Sequence, residues 1–427
     1  MPAPLRRTGF SLLRLLGLVL SPCHLLPASS GILGASASSS SAPITAADYQ
    51  ARIGWGFDTD FFKSTTGLKK YDPKIMVDLK AKGVKNLRLR TRGDIFGFNS
   101  ATEVVDSASL QELVKGYRTV LPDMYANGIF PIISWINDAS EVQATDAQGD
   151  NFVEWWGKVA EELKDEPYEL SFNLFTEIGD GNLKDDPAKY NDWTRRAISA
   201  IRSTGGNNGN RVIILGAPAK DADSLSRIDA SITTGQQYLM AEWHLYASGP
   251  NKQVDGQKYW AGTGSSEDRE RVNKVFRDAM AWTASTDIPT WIGAWMPYDN
   301  IGATLSQEEV EAFACYFASV ARDNHIPWSM NKLDNFYDVR QKSWVQTQDI
   351  GRSDAPVTLS MPPILDALQC SSAPPLPLTK SNADIYLAQR RVEQSRARSQ
   401  DRHRIHRSFM IGDPAAAAAV TRAMEPE

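Results

Sequence analysis

The sequence predicts an α/β fold, a single (β/α)8 TIM barrel, and three observations carry that reading. From Ile53 to Leu368 short apolar runs alternate with amphipathic stretches of helical period, the pattern of strand and helix units over a parallel sheet. Eight of the runs are short enough for strands and are bounded by turn-forming residues. An open doubly wound sheet is the alternative architecture, and no GxGxxG supports it.

The elements follow in order. The first strand is expected at 53–57. Asp72-Pro73 then opens a helix that Lys82-Gly83 closes, because proline is tolerated in a first helical turn and glycine supplies the stop. A second strand at 86–90 leads to a helix at 110–126, stopped by Asn127-Gly128. The third strand (130–135), a helix (152–165), the fourth strand (170–175) and a helix (190–203) repeat the unit. The fifth (211–216) and sixth (238–246) strands precede a helix at 267–283. A seventh strand (290–295), a helix (306–323) and an eighth strand (327–331) complete the set, and the last helix should end near Leu368.

The flanks differ from this core. Arg6 and Arg7 precede the apolar run from Phe10 to Leu20, with small residues near Ala35 and Ala37, so residues 1–40 read as a secretory signal peptide and Ser-rich linker. A membrane anchor is the alternative, but the run falls short of the ~20 residues that span a bilayer. The barrel is assigned 45–370. Residues 371–427, with SSAPPLPLTK, the Arg-rich QRRVEQSRARSQDRHRIHR and GDPAAAAAV, read as a low-complexity basic tail. Of three cysteines Cys23 would leave with the signal, so Cys315 and Cys370 remain as a pair or as two buried thiols. The expected location is extracellular. No Asn-x-Ser/Thr sequon occurs, so N-linked sugar is not expected.

A composition of 42% hydrophobic and 23% charged residues with a formal net charge of -5 gives no reason to expect nucleic acid as partner. Neither does it suggest stable membrane insertion, and a monomer is expected. No HExxH, CxxC or second nearby histidine offers a zinc site, and no cofactor is implied.

In such a barrel the strand C-termini share a cleft, which brings Arg88, Asn137, Glu177, His244 and Tyr246 forward as candidates. Glu177 ends the apolar run FNLFTE beside a glycine-containing loop, where burial should raise a carboxyl's pKa and suit it to general acid work. In EWHLY the two-residue period puts Glu242, His244 and Tyr246 on one face, with Trp243 and Leu245 toward the helices. A buried hydrogen-bonded network that merely holds strand order is the bland reading of that trio. Trp135, Trp260, Trp295 and Trp328 lie at strand ends or in following loops, where flat rings could stack on sugars or simply pack the core.

These residues resemble glycoside hydrolase family 5, the cellulase-like barrels, over about 54–368. GVKNLRLR is similar to that family's second-strand segment with its arginine, Arg88; FNLFTE to the fourth-strand segment ending in the acid/base, Glu177; and WHLY to its sixth-strand His-x-Tyr, His244 and Tyr246. The resemblance implies cleavage of β-linked glycans by retention, and the leader implies that the enzyme is secreted. Substrate contacts are expected at Arg88, Trp135, Asn137, Thr176, Trp295, Asn331 and Asp334. Three positions depart from it. Thr176 stands for the asparagine before the acid/base, Asn331 for an eighth-strand tryptophan, and Ala294 for the nucleophilic glutamate after Gly293.

Retention needs carboxyl groups ~5 Å apart, one of them attacking. With a methyl at position 294 three accounts stay open. Another carboxylate (Glu242, Asp334, Asp58 or Asp60) takes over; or Tyr246 or His244 drives elimination from a uronate-containing glycan with Arg88 neutralising its carboxylate; or the barrel binds glycan without cutting it.

Overall fold

The computed structural model describes residues 42–370, apart from 100–103, 137–142, 180, 246–252, 255–256, 299–304 and 353–354. The expected leader and basic tail lie outside the described residues, as do Asn137 and Tyr246.

Eight strands close into a parallel barrel in chain order: β1 (Trp55–Phe62), β2 (Asn86–Arg92), β3 (Phe130–Ile136), β4 (Ser171–Asn173), β5 (Ile213–Asp221), β6 (Leu239–His244), β7 (Thr290–Trp295) and β8 (Trp328–Met330). β8 pairs back onto β1 with Trp55 beside Trp328, and β1 onto β2 with Asp58 beside Arg88. The helices are α1 (Ala46–Ile53), α2 (Lys74–Ala81), α3 (Ser107–Ala126), α4 (Asp146–Glu162), α5 (Pro187–Ser203), α6 (Ser266–Thr286), α7 (Gln307–Asp323) and α8 (Met361–Ala367). Local chemistry starts several of them. Thr145, Ser265 and Ser306 each cap the helix that follows and close a reciprocal box with Gln148, Asp268 and Glu309, satisfying donors the helix leaves open.

Three features depart from the expected pattern. Residue 53 belongs to α1 rather than to the first strand. α1 seals the N-terminal end of the barrel: the Tyr49 hydroxyl donates to Ser171 Oγ at 2.9 Å, and Gln50 Nε2 donates to the Thr290 carbonyl at 2.8 Å. Around Tyr49 pack Ile132, Ile214, Met240 and Trp291, all buried. Between β5 and β6 there is no long helix, only a turn at Ala222–Arg227 and a short helix at Ala230–Thr233. After β8 an antiparallel hairpin of Thr347–Arg352 and Ala355–Ser360 precedes α8.

Strand alternation separates two cores. Outward residues such as Phe172, Leu215, Trp243 and Ile292 pack against the helices. Cys315 on α7 is disulfide-bonded to Cys370 just past α8, with Cα atoms 5.5 Å apart. Among the described residues no helix is long and apolar enough to cross a membrane.

Candidate active site

The interior of the barrel changes character along its axis. Above the apolar layer around Tyr49 lies a fully buried ionic array centred on Arg88 of β2. Its guanidinium makes a bidentate contact with Asp58 of β1, Nε and Nη2 each donating at 2.7 Å, and Nη1 donates to Glu242 Oε1 on β6. Nη1 also reaches the Thr176 carbonyl at 3.2 Å, and the guanidinium carbon lies 5.2 Å from the Trp291 ring centroid. Burial pushes the arginine's pKa down, but the charges of Asp58 and Glu242 outweigh it and hold the group protonated. At 0% exposure Arg88 is beyond the reach of a substrate, so its expected contact with glycan becomes a supporting role beneath the site.

Glu242 is equally enclosed. Its Oε1 lies 2.5 Å from His244 Nε2, and its Oε2 accepts from Asn173 Nδ2 at 2.5 Å. Asn173 Oδ1 in turn accepts from Ser134 Oγ at 2.6 Å, and that hydroxyl lies 2.5 Å from Thr176 Oγ1. Thr176 is 2% exposed and belongs to this network rather than to an open subsite. The carboxylate fits because β7 offers no side chain there: a Cβ built on Gly293 would stand 2.0 Å from Glu242 Oε1. Glu242 thus fills the space over Gly293, beside Ala294, where the resemblance expects a carboxylate from β7. Ala294 pairs with His244 across the strands and is 1% exposed.

Glu177 stands higher, past the end of β4, with its side chain 34% exposed. Lys220 Nζ, near the end of β5, donates to Glu177 Oε1 at 2.8 Å. Burial pushes the Glu177 carboxyl up, yet the nearby His244, the Lys220 hydrogen bond and the charge of Arg88 together hold it below its usual value. The expectation of a raised pKa is overturned, because His244, Lys220 and Arg88 together outweigh the burial.

Across the mouth a second cluster joins β1, β2 and β8. Arg90 donates from Nη1 to Asn331 Oδ1 at 2.9 Å and pairs with Asp60, while Lys332 contacts Asp60 at 2.5 Å and lies 3.8 Å from Asp334. Burial pushes the Asp334 carboxyl up, against the pull of Lys332.

The four tryptophans do not line this mouth. Trp295 is 1% exposed and stacks on Phe317 of α7 with centroids 3.9 Å apart; Trp135 meets Phe152 and Phe175 edge-on. Trp260 packs on Phe313 and Tyr316, and Trp328 on Trp55 and Trp295. Each sits on the helix side of the sheet, so core packing explains all four. Ser134, Asn173 and Lys220 are the residues that the sequence reading missed. The two-residue period of FNLF places Asn173 inward, which was available; Lys220 lies beyond the expected end of its strand. Among the described residues no group of three or more His, Cys, Asp or Glu side chains is placed to hold a metal ion.

Known proteins share this fold. Endoglucanase H of Acetivibrio thermocellus is 25% identical over 217 residues, 51% of this chain, and the match takes in only 22% of that protein's length. A broad-specificity endoglucanase from Clostridium acetobutylicum shares the fold at a TM-score of 0.61 and 17% identity, covering 76% of this chain and 99% of that one. The cellulose synthase subunit Z of Clostridioides difficile does so at 0.57 and 15%, covering 74% and 99%. The sequence profile described as Cellulase (glycosyl hydrolase family 5) matches residues 55–335, most of the chain and all eight barrel strands. The chain belongs to glycosyl hydrolase family 5.

Proposed function

We propose that this protein hydrolyses O-glycosidic bonds of a β-linked polysaccharide, with Glu177 as the residue that moves the proton. The observation that carries the reading is the position of Glu177: a half-buried carboxylate at the barrel mouth, above a buried array that fixes His244 beneath it. Family membership and the endoglucanases among the similar proteins support a β-glucan as the polysaccharide.

The attacking group is water. Ala294 has no side-chain oxygen, and Glu242 is 1% exposed with both oxygens engaged, so neither offers a covalent route. Single displacement by water inverts the anomeric centre and calls for a second carboxyl group ~6.5 to 9.5 Å from the first. Asp334 is the partner proposed among the described carboxylates, since it lies at the mouth with its side chain 35% exposed. Action outside the cell is part of the proposal, supported by the Cys315–Cys370 disulfide, a bond that persists in oxidising compartments.

Binding without cleavage is the second reading, and Ala294 is the observation that favours it. Digestion of a soluble β-glucan followed by proton NMR of the first-formed reducing end separates the two. Hydrolysis as proposed releases the α-anomer first; a β-anomer would refute single displacement, and no product from a panel of β-linked glycans, acidic ones included, would favour the binding protein.

A further inference from the structure

We propose that Lys220 makes this site selective for an anionic glycan: its ammonium is the receptor for an acidic group on the sugar that leaves. The inference rests on the reading of Glu177 as the proton-moving residue and names the class of substrate for that site.

The argument begins with position. A residue that protonates a glycosidic oxygen must stand beside the leaving sugar, so a side chain 2.8 Å from Glu177 on the neighbouring strand faces the leaving-group side of the cleft. Lys220 is 26% exposed there and can be met by a ligand, whereas Arg88 is sealed below. Its backbone is left-handed, with φ of 57°, a conformation that disfavours any residue with a Cβ, so backbone preference does not explain a lysine at this point.

Chemistry then decides what the lysine is for. Glu177 is faced by His244, Lys220 and Arg88, and Lys220 Nζ bonds it directly. A carboxylate in that contact resists taking up the proton it must deliver. Hydroxyl groups of a neutral sugar are poor replacements for a carboxylate as the partner of an ammonium, and they leave Lys220 where it is. A uronate carboxylate or a sulfate ester can take the ammonium over through a charge-assisted hydrogen bond. Glu177 then loses its cation and gains a nearby anion, both of which favour its protonated form. The proton comes from solvent and passes to the leaving oxygen. Among the described residues at the mouth, Arg90 is committed to Asp60 and Asn331, and Lys332 to Asp60 and Asp334.

The test uses the full chain and three probes: a neutral cello-oligosaccharide, a β-linked glucuronate oligosaccharide and a sulfated cello-oligosaccharide. Calorimetric affinities are measured for the wild type, Lys220→Met and Lys220→Arg, with melting temperatures as a check on folding. The wild type should bind an anionic probe about tenfold or more better than the neutral one, Lys220→Met should erase the preference, and Lys220→Arg should keep it. Whichever of the glucuronate and sulfated probes shows the larger loss identifies the acidic group. Equal affinities in the wild type, or a preference that survives in Lys220→Met, overturn the inference. Anion preference through Lys220 without hydrolysis would uphold the selectivity and refute the hydrolytic reading; an unsaturated product from the glucuronate probe would do the same in favour of elimination.

Discussion

The two halves of the barrel interior are built on opposite principles. The N-terminal half is filled by Ile132, Ile214, Met240 and Trp291 around Tyr49, apolar groups whose packing is non-directional. The C-terminal half is filled by Asp58, Arg88, Asn173, Glu242 and His244, whose oxygens and nitrogens are joined into one network. An apolar layer tolerates small shifts, but a buried charge is costly unless its partners are in place, so the upper layer fixes geometry where the lower one supplies stability. The same contrast separates the two glutamates. Glu242 is inside the network and positions His244; Glu177 is above it and can meet a substrate.

The largest stability effect should come from emptying the centre of the upper layer. Arg88→Met leaves Asp58 and Glu242 buried without their cation, and a loss of about 3 to 5 kcal/mol is expected in chemical denaturation. Close behind is the disulfide at the rim, which spans 55 residues; its reduction should cost about 4 kcal/mol in the chain-entropy model, read as a fall in melting temperature with reductant. Gly293→Ala introduces a methyl against Glu242 and should cost about 1 to 3 kcal/mol, and the same change made in a Glu242→Ala background should cost less. The lower layer should be the more forgiving. Tyr49→Phe removes the hydroxyl bonds to Ser171 and the Glu169 carbonyl but keeps the ring, for about 1 kcal/mol.

Acid sharpens the contrast further. Because the folded pKa of Glu177 lies below its ordinary 4.5, its ionised form favours the folded state above that pH. That contribution is lost as pH falls through the folded value. Glu177→Gln should therefore reduce the difference in stability between neutral and acidic solution, measured as melting temperature against pH.

The halves were also unequally legible in the sequence. Apolar periodicity announces strands and outward-facing residues, and all eight strands overlap the segments the pattern marked, with the ends of β1 and β5 five residues further on. The α1 seal went unread because its apolar residues sit next to the first strand, although Thr45 followed by Asp48 is a usable helix-start signal. For the upper layer the period showed which residues point inward but not how deep they lie. Arg88, Thr176 and Glu242 were placed at the site when they stand beneath it, because height along the axis depends on register between strands. The tryptophans failed for the converse reason, since a position near a strand's end does not say which face of the sheet it occupies. Lys220 needed both the extension of β5 and the approach of Glu177 from β4.

The division between a positioning glutamate and a reacting one is tested most directly by leaving-group dependence. The rates of Glu177→Gln and Glu242→Gln are compared with wild type on aryl β-glycosides whose leaving groups range from poor to good. Loss of a positioned proton donor should cost 10²- to 10⁴-fold for poor leaving groups and progressively less as they improve. Glu177→Gln should show that slope, and Glu242→Gln a loss that is uniform across the series. A uniform loss for Glu177→Gln with the slope appearing in Glu242→Gln would contradict the account and make the buried carboxylate the one that moves the proton.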